Sequence, residues 1–386
     1  MEYIPTKCTR RARRWSKIWS GRAARFALSA LLLVGSAVAL AASELDLLLK
    51  QLLTLDIQAA PGFSARVIVP PGELYDPLVM HARGDAVWLN DDGKVRGDKG
   101  SRMMAIAPDG KVTVLVDADR MKPVSAGFDV APPDFGAYGG QIFALSQPKV
   151  GSQNQVENYI VQRIDVAHDG AVSVFCTLPA LEGGQVSGTG VDAGFGPAGS
   201  PFAGRLFAIT SHNGAIYAVG ADGRCAPFTI FDVERHGSPL YLAFAPNGQS
   251  MLVSVVRGGL YAARGAAVLR VHPDGRIDPQ AVVEGGIMLG GLDIAPAGFG
   301  RHAGEPFIVD VGAFEIPVPQ GQRLAADGKV YRVTTNGELA LVASGLVNPW
   351  GLRFVGNRLW VSDINGDFIY GKRELPDGFI VEIEPR

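Results

Sequence analysis

From Phe63 onward the apolar and polar positions run through one phrase six times: a short strand, a loop, an apolar strand, then a strand ending in a polar-Gly turn. The clearest copies are Gly127–Gln147 (GFDVAPPDFGAYGGQIFALSQ), Gly190–Ser211 (GVDAGFGPAGSPFAGRLFAITS) and Gly291–Val311 (GLDIAPAGFGRHAGEPFIVDV). Short apolar runs bounded by Gly, Pro, Asn and Asp read as strands, and no long run after Gln58 sustains a helical period. The innermost strand of each copy, a, starts near Leu78, Gly127, Gly190, Leu240, Gly291 and Gly351. Strand b follows as Ala86–Asn90, Gln141–Leu145, Arg205–Ile209, Ser250–Ser254, Pro306–Val309 and Arg358–Ser362. Strand c reads Met103–Ala107, Tyr159–Ala167, Ala215–Gly220, Ala267–His272, Lys329–Thr334 and Phe379–Glu384. Five copies then turn on Asp-Gly or Asn-Gly (Asp109, Asp169, Asp222, Asp274 and Asn336 before glycine), the dipeptides that tight hairpins prefer.

A repeat of four-strand length predicts an all-β chain, a six-bladed β-propeller with four antiparallel strands per blade. The sixth copy stops after strand c. Phe63–Val69 (FSARVIV) has no a, b or c strand of its own. It is predicted to pair with the C-terminal blade and close the ring, which protects edges that an open array would expose.

Propeller geometry sorts the connections. The d–a and b–c loops emerge on one face around the channel mouth, the a–b and c–d loops on the other. The first face gathers Asp91, His212, His236, Arg257, Asp310, Glu315, Asn348, Trp350, Asp363 and Asn365. Carboxylates and amides are hard oxygen ligands, suited to Ca²⁺ or Mg²⁺, and a divalent metal there would polarise a carbonyl and acidify a bound water. Asp310, Asp363, Asn348 and Asp91 are the candidate metal ligands. His212, Asp310 and Asp363 are the candidate catalytic residues, and Arg257, Glu315, His236 and Trp350 the candidate substrate contacts. The competing reading is that a carboxylate after a strand caps a turn, and that His212, between Thr-Ser and Asn-Gly, is a hydrogen-bonded turn residue. His168, His272 and His302 fall on the opposite face and read as surface residues. Asp129, Asp192 and Asp293 recur two residues into strand a, where a buried carboxylate needs partners. Threefold recurrence in a ring with unequal loops points to hydrogen bonds between blades more than to a site.

The N-terminus changes the charge picture. Lys7, Arg10, Arg11, Arg13, Arg14, Lys17, Arg22 and Arg25 precede the apolar run Phe26–Leu40, and Ala39-Leu40-Ala41 fits a small-x-small cleavage rule. Residues 1–41 read as a signal peptide, with an uncleaved anchor as the alternative, since the run is short for the about 20 residues of a membrane span. Residues 42–62, with leucines on one helical face of Glu44–Gln58, read as a short helix or spacer, and 63–386 as the propeller. Of 36 basic and 38 acidic side chains, residues 1–41 hold eight and one, which leaves 28 against 37, a net charge of −9. Such a chain is expected in the periplasm or secreted, without nucleic acid as a partner and off the membrane after cleavage. A neutral or cationic small molecule suits it better. Two cysteines follow the signal, Cys176 and Cys225. Export permits a disulfide, but the two fall near outer strands of neighbouring blades, a spacing that reads as too wide to bridge, so free thiols are expected. The chain carries no phosphate-binding Gly loop, Cys-x-x-Cys pair, haem motif, His-Glu-x-x-His helix or Gly-x-Ser-x-Gly elbow.

The phrase Gly-Leu-(Asp/Ala)-(Ile/Phe)-Ala-Pro, followed by an apolar strand ending in Asp, resembles the six-bladed propellers of the NHL, SMP-30/gluconolactonase and strictosidine-synthase-like superfamily. Asn348–Asp363 (NPWGLRFVGNRLWVSD) also resembles blades of sorbosone dehydrogenase-type proteins. The SMP-30 resemblance implies a divalent metal at the channel mouth, held by Glu, Asn and Asp, that assists opening of a sugar lactone. Here Asp76-Pro77-Leu78, with Glu73 nearby, stands in place of that family's Glu-Gly-Pro, and Asn348-Pro349-Trp350-Gly351 in place of its Pro-Asn-Gly. The Asp after strand b is kept at Asp310 and Asp363. Resemblance to quinone-dependent sugar dehydrogenases would make His212 and Arg257 counterparts of a catalytic His and a basic cofactor cluster. The expectation is an exported, lactonase-like enzyme using a divalent metal on a small lactone, ester or sugar-like substrate. The alternatives are a non-catalytic binding propeller and a quinone-dependent sugar dehydrogenase.

Overall fold

The computed structural model describes residues 55–92, 101–121, 124–146, 158–181, 190–211, 213–258, 265–284, 288–312, 327–364 and 376–386. Two strands, β1 (Gln58–Ala59) and β2 (Phe63–Leu74), precede the first complete blade. Blade 1 is β3 (Pro77–Arg83), β4 (Ala86–Asp91), β5 (Arg102–Ile106) and β6 (Val112–Val116). Blade 2 is β7 (Val124–Val130), β8 (Ile142–Ser146), β9 (Ile160–Asp165) and β10 (Ala171–Thr177). Blade 3 is β11 (Gly190–Phe195), β12 (Arg205–Thr210), β13 (Ala215–Gly220) and β14 (Cys225–Ile230). Blade 4 is β15 (Ser238–Phe244), β16 (Met251–Arg257), β17 (Gly265–Val271) and β18 (Ile277–Glu284). Blade 5 is β19 (Leu289–Ile294), β20 (Pro306–Asp310), β21 (Gly328–Val333) and β22 (Leu339–Leu346). Blade 6 is β23 (Pro349–Val355), β24 (Arg358–Asp363) and β25 (Gly378–Pro385), completed by β2. The protein is a six-bladed, all-β propeller of four-stranded antiparallel blades, as the repeat predicts.

Closure joins the two ends of the chain. β2 pairs with β25 from Phe63↔Pro385 to Leu74↔Gly378, so the closing strand runs past Val69 to Leu74. One buried carboxylate, Glu382, clamps three strands there: it accepts from Arg66 Nε at 2.7 Å, Arg358 Nη1 at 3.1 Å and Trp360 Nε1 at 3.1 Å. The expected helix or spacer before the propeller needs correction at its end. Residues 55–57 are not helical, and Gln58–Ala59 adds an edge strand to blade 5, opposite Ser344 and Ala343. The unpaired edge of β22 offers backbone partners that the leucine period cannot match. Positions 44–54 lie outside the described residues.

Apolar side chains of adjacent sheets interleave to make the core. Phe135, Phe143 and Phe195 meet edge to face between blades 2 and 3, Phe202 and Phe207 meet Phe228 and Phe244 between blades 3 and 4, and Phe299, Phe307 and Phe354 meet between blades 5 and 6. Each such ring contributes about 1.5–3 kcal/mol by burial. His302 belongs to this layer rather than to the surface: it is buried, stacks on Phe63 at 5.2 Å and bonds Glu305 at 3.0 Å. Each outer strand carries one extra residue at the same level, at Ile68, Leu115, Phe175, Phe228, Gln280 and Val342. These bulges twist the outer edges and interrupt the ladder a second chain would use.

The expectation of free thiols is overturned. Cys176 on β10 and Cys225 on β14 form a disulfide with Cα atoms 6.6 Å apart. The bulge at Phe175 carries the chain through an extra residue just before Cys176, which a regular strand spacing does not anticipate.

At the axis each strand a is tied to the next by side chains. His81 Nδ1 meets Asp129 Oδ1 at 2.9 Å, joining blade 1 to blade 2. Asp129 Oδ2 accepts from Phe195 N at 2.6 Å, Asp192 Oδ2 from Leu242 N at 2.9 Å, and Asp293 Oδ2 from Phe354 N at 2.8 Å. Ser254 Oγ donates to Gly290 O at 3.0 Å between blades 4 and 5. Arg353 Nε donates to Met80 O at 2.9 Å and Ser362 Oγ to Leu78 O at 2.8 Å, returning from blade 6 to blade 1. All six junctions are latched, and the repeated aspartates are part of that scaffold.

Such bonds need close backbones, and the repeat's glycines supply them. A Cβ on Gly127 would lie 2.5 Å from Asp192 Cα, and one on Gly351 would overlap Leu78 O and Ser362 Oγ. Gly351→Ala is expected to lower stability by about 1–3 kcal/mol, the usual cost of overpacking, measured by thermal or urea unfolding. Alkylation of the denatured, unreduced protein should leave Cys176 and Cys225 unlabelled, with both labelled only after reduction, as read by peptide mass.

Candidate functional site

The aspartates at the ends of strands b form one device. Asp91, Asp310 and Asp363 occupy equivalent positions, opposite Pro77, Leu289 and Pro349. Asp91 Oδ1 accepts from Tyr75 N at 3.0 Å and Asp76 N at 2.8 Å, and its Oδ2 pairs with Arg102. Asp363 accepts from Val347 N at 2.8 Å and Asn348 N at 2.9 Å. Asp310 accepts from Gly312 N at 3.1 Å, and the Met288 N–H also points to it. Each carboxylate holds the d–a connection of its own blade. Burial pushes the Asp91 and Asp310 carboxyls up, with Arg102 opposing it at Asp91 and the Gly312 N–H opposing it at Asp310.

This geometry does not fit a divalent cation on the expected ligands. Asp91 and Asp363 have committed both oxygens, and Asn348 Oδ1 accepts from Trp350 Nε1 at 2.9 Å. Among the described residues no three His, Cys, Asp or Glu side chains come together to hold a metal. The roles expected for Asp310, Asp363, Asn348 and Asp91 as metal ligands, and for Asp310 and Asp363 in catalysis, are corrected to scaffolding. A cluster of backbone N–H groups, bent toward each strand end, captures those oxygens first. His212, Glu315 and Asn365 lie outside the described residues.

Two expected substrate contacts do meet on the same face. His236 ends the short helix Val233–His236 in the connection from blade 3, and Arg257 ends β16. Gly237 backs directly onto the Arg257 side chain: a Cβ there would lie 3.3 Å from Arg257 Cγ. Burial lowers the His236 pKa below its ordinary 6.5, helped by the charges of Arg235 and Arg257 and opposed by Asp232. His236 Nδ1 and Arg257 Nε are both buried without a hydrogen-bond partner. A neutral imidazole beside a guanidinium whose Nε is unpartnered combines a base with an oxyanion donor.

A second polar cluster lies deeper, on the axis. Asp129 pairs with Phe143 and Asp293 with Phe307, but the register of β11 places Asp192 opposite Ile209. Asp192 therefore stands one pleat nearer the mouth than its two repeats. There it faces Tyr241, Arg353 and His81. Burial raises the Asp192 pKa to about 6, against Arg353, the Leu242 N–H and His81. At Asp129 burial is outweighed by His81 and two backbone N–H groups, and its pKa is lowered. The repeat hides this difference, because GVDAGF and GLDIAP align without a gap.

Solved structures share the architecture. The PQQ-bound aldose sugar dehydrogenase of Streptomyces coelicolor is 15% identical, with a TM-score of 0.53, covering 85% of this chain and 99% of that one. A candidate gluconolactonase is 16% identical, with a TM-score of 0.50 and coverage of 86% and 95%. The calcium-binding protein regucalcin of Agrobacterium tumefaciens C58 is 14% identical, with a TM-score of 0.50 and coverage of 84% and 96%. The chain shares the overall fold of these structures. At these identities the likeness speaks for fold alone. No family model matches the chain, and no curated protein does.

Within this propeller the axial carboxylates pull stability in opposite directions with pH. Asp129, lowered, stabilises the native state above its unfolded value of 3.8, and that contribution is lost as pH falls through its folded pKa. Asp192 holds its proton up to about 6, whereas the unfolded group releases it near 3.8, so its contribution to stability declines as pH rises through that window. Asp192→Asn, which keeps an acceptor for Leu242 N, should raise stability above pH 6 by up to about 3 kcal/mol and flatten the slope between pH 4 and 6, read from urea unfolding across pH.

Proposed function

We propose that the protein is an exported enzyme that hydrolyses a small lactone, ester or sugar-like molecule at the channel mouth. The observation that carries the reading is the pairing of neutral His236 with Arg257, each keeping an unpartnered nitrogen. His236 takes a proton from water as the water oxygen attacks the carbonyl carbon. Arg257 donates hydrogen bonds to the oxygen that becomes negative. The carbon–oxygen bond of the ester then breaks, and the leaving alkoxide takes the proton back from His236. Export is supported by the basic and apolar segments of residues 1–41 and by the Cys176–Cys225 disulfide, since such bonds persist in oxidising compartments. Among the described residues no helix is long and apolar enough to cross a membrane.

Turnover of γ-butyrolactone, a sugar δ-lactone and a p-nitrophenyl ester tests the proposal. His236→Ala should lower kcat/KM by about 10²–10⁴-fold and Arg257→Ala by about 10²–10³-fold. The acid limb of kcat/KM should have its midpoint below 6.5, the direction in which His236 is shifted. EDTA should leave the rate unchanged. A rate lost in EDTA and restored by Ca²⁺ would replace this mechanism with a metal-dependent one. Saturable binding of these molecules without turnover would make the protein a binding propeller. Reduction of a dye on adding a sugar and PQQ would move it to the chemistry named for the Streptomyces coelicolor neighbour.

A further inference from the structure

We propose that a cavity between blades 4 and 5, on the face opposite the His236–Arg257 pair, binds a small aromatic carboxylate. The proposal does not rest on the hydrolase reading. It follows from what three other junctions contain and this one lacks. Between blades 2 and 3, 3 and 4, and 5 and 6, a ring from the connection after strand a (Phe135, Phe202, Phe299) packs on a ring of strand b (Phe143, Phe207, Phe307) and on one of the next strand a (Phe195, Phe244, Phe354). In blade 4 that connection is residues 245–250 (APNGQS), with no aromatic side chain. Its strand b position, opposite Ala243, is Leu252, and Ile294 stands on the next strand a. Two aliphatic side chains thus replace three rings. A cavity of about 280 Å³ lies there, with Pro246, Leu252, Ile294, Pro306, Arg270 and Gln280 in its wall. An apolar cavity of about 150 Å³ is enough to take benzene.

The same comparison supplies the polar end of the ligand. Arg163, Arg270 and Arg332 hold one position of strand c, opposite Phe143, Leu252 and Phe307. Two of them are met by the connection after strand a of their own blade. Arg163 lies over the Tyr138 ring at 4.9 Å, and Arg332 Nη1 donates to both oxygens of Glu305, at 3.1 and 2.9 Å. Arg270 has neither partner. Its Nη2 donates to the neutral Gln280 Oε1 at 2.6 Å, and among the described residues no carboxylate pairs with it. Asp278, opposite Arg270 on β18, is held instead by His272 at 2.8 Å and by Arg276, which offset its charge.

A guanidinium in the wall of an apolar cavity selects an anion, and its planar fork matches a carboxylate. The ring seat and Arg270 share one cavity, so a single molecule carrying an aromatic ring and a carboxylate satisfies both. It stands in for the side chains that the short connection of blade 4 omits.

Calorimetric titration and thermal unfolding with phenylacetate test this, with acetate and benzyl alcohol as the two halves of the ligand. Phenylacetate should bind saturably and raise Tm by about 2 °C or more well above its Kd. Acetate and benzyl alcohol should not at the same concentration. Arg270→Gln should weaken binding by about 10–100-fold. Leu252→Phe, which supplies the ring found at the other three junctions, should remove binding while the protein still folds. Arg257→Ala, on the opposite face, should leave the response intact, which separates this cavity from the channel mouth. An equal response to acetate, full binding in Arg270→Gln or Leu252→Phe, binding lost in Arg257→Ala, or no saturable binding at all would overturn the proposal.

Discussion

The structure depends on how closely strands a approach one another at the axis. A propeller blade pairs its backbone internally, so neighbouring blades share no ladder and are joined by side chains. Apolar interleaving supplies most of the energy but does not specify register. The register comes from the axial bonds: a carboxylate, hydroxyl or guanidinium on one strand a or b reaches a backbone group on the next, and the His81 imidazole reaches the Asp129 carboxylate. Glycines such as Gly127 and Gly351 bring the strands close enough for those bonds to form. The last blade is itself completed from the other side of the ring's seam, by pairing β2 with β25 under the Glu382 clamp.

The same economy explains why carboxylates at the channel mouth are poor guides to chemistry here. A strand that ends at the mouth is followed by a connection whose N–H groups need acceptors, and Asp91, Asp310 and Asp363 provide them. Hydrogen bonding to the charged form also compensates the cost of burying it. Residues free for function are those that the scaffold leaves incomplete. His236 and Arg257 on one face of blade 4, and Arg270 on the other, fit that description.

Much of the fold was legible from periodicity. The strand phrase, the five Asp-Gly or Asn-Gly turns and the orphan strand at Phe63 sufficed for six blades and their closure. The scaffold reading of Asp129, Asp192 and Asp293 was legible as well, because recurrence at one position of strand a implies a recurrent partner. The disulfide and the edge strand at Gln58 were not. Both rest on where an outer strand bulges or what its free edge can pair with, and a bulge leaves no mark on an apolar run. The candidate site was legible only as a face: His236 and Arg257 were on it, but so were the capping aspartates, and spacing does not distinguish a free carboxylate from a bonded one.

By itself, the sequence determines the blade count, the antiparallel order of the strands and the acidic balance of residues 42–386. These follow from local period, turn chemistry and charge, which need no knowledge of neighbours. Only the tertiary structure decides which polar atoms are already satisfied. Asp129, Asp192 and Asp293 share one motif, and Asp91 and Asp363 another. Yet a one-pleat shift in β11 leaves Asp192 with an unused oxygen and a pKa near 6. Hydrogen bonding and desolvation are set by distance in space, and those distances arise when the blades are packed.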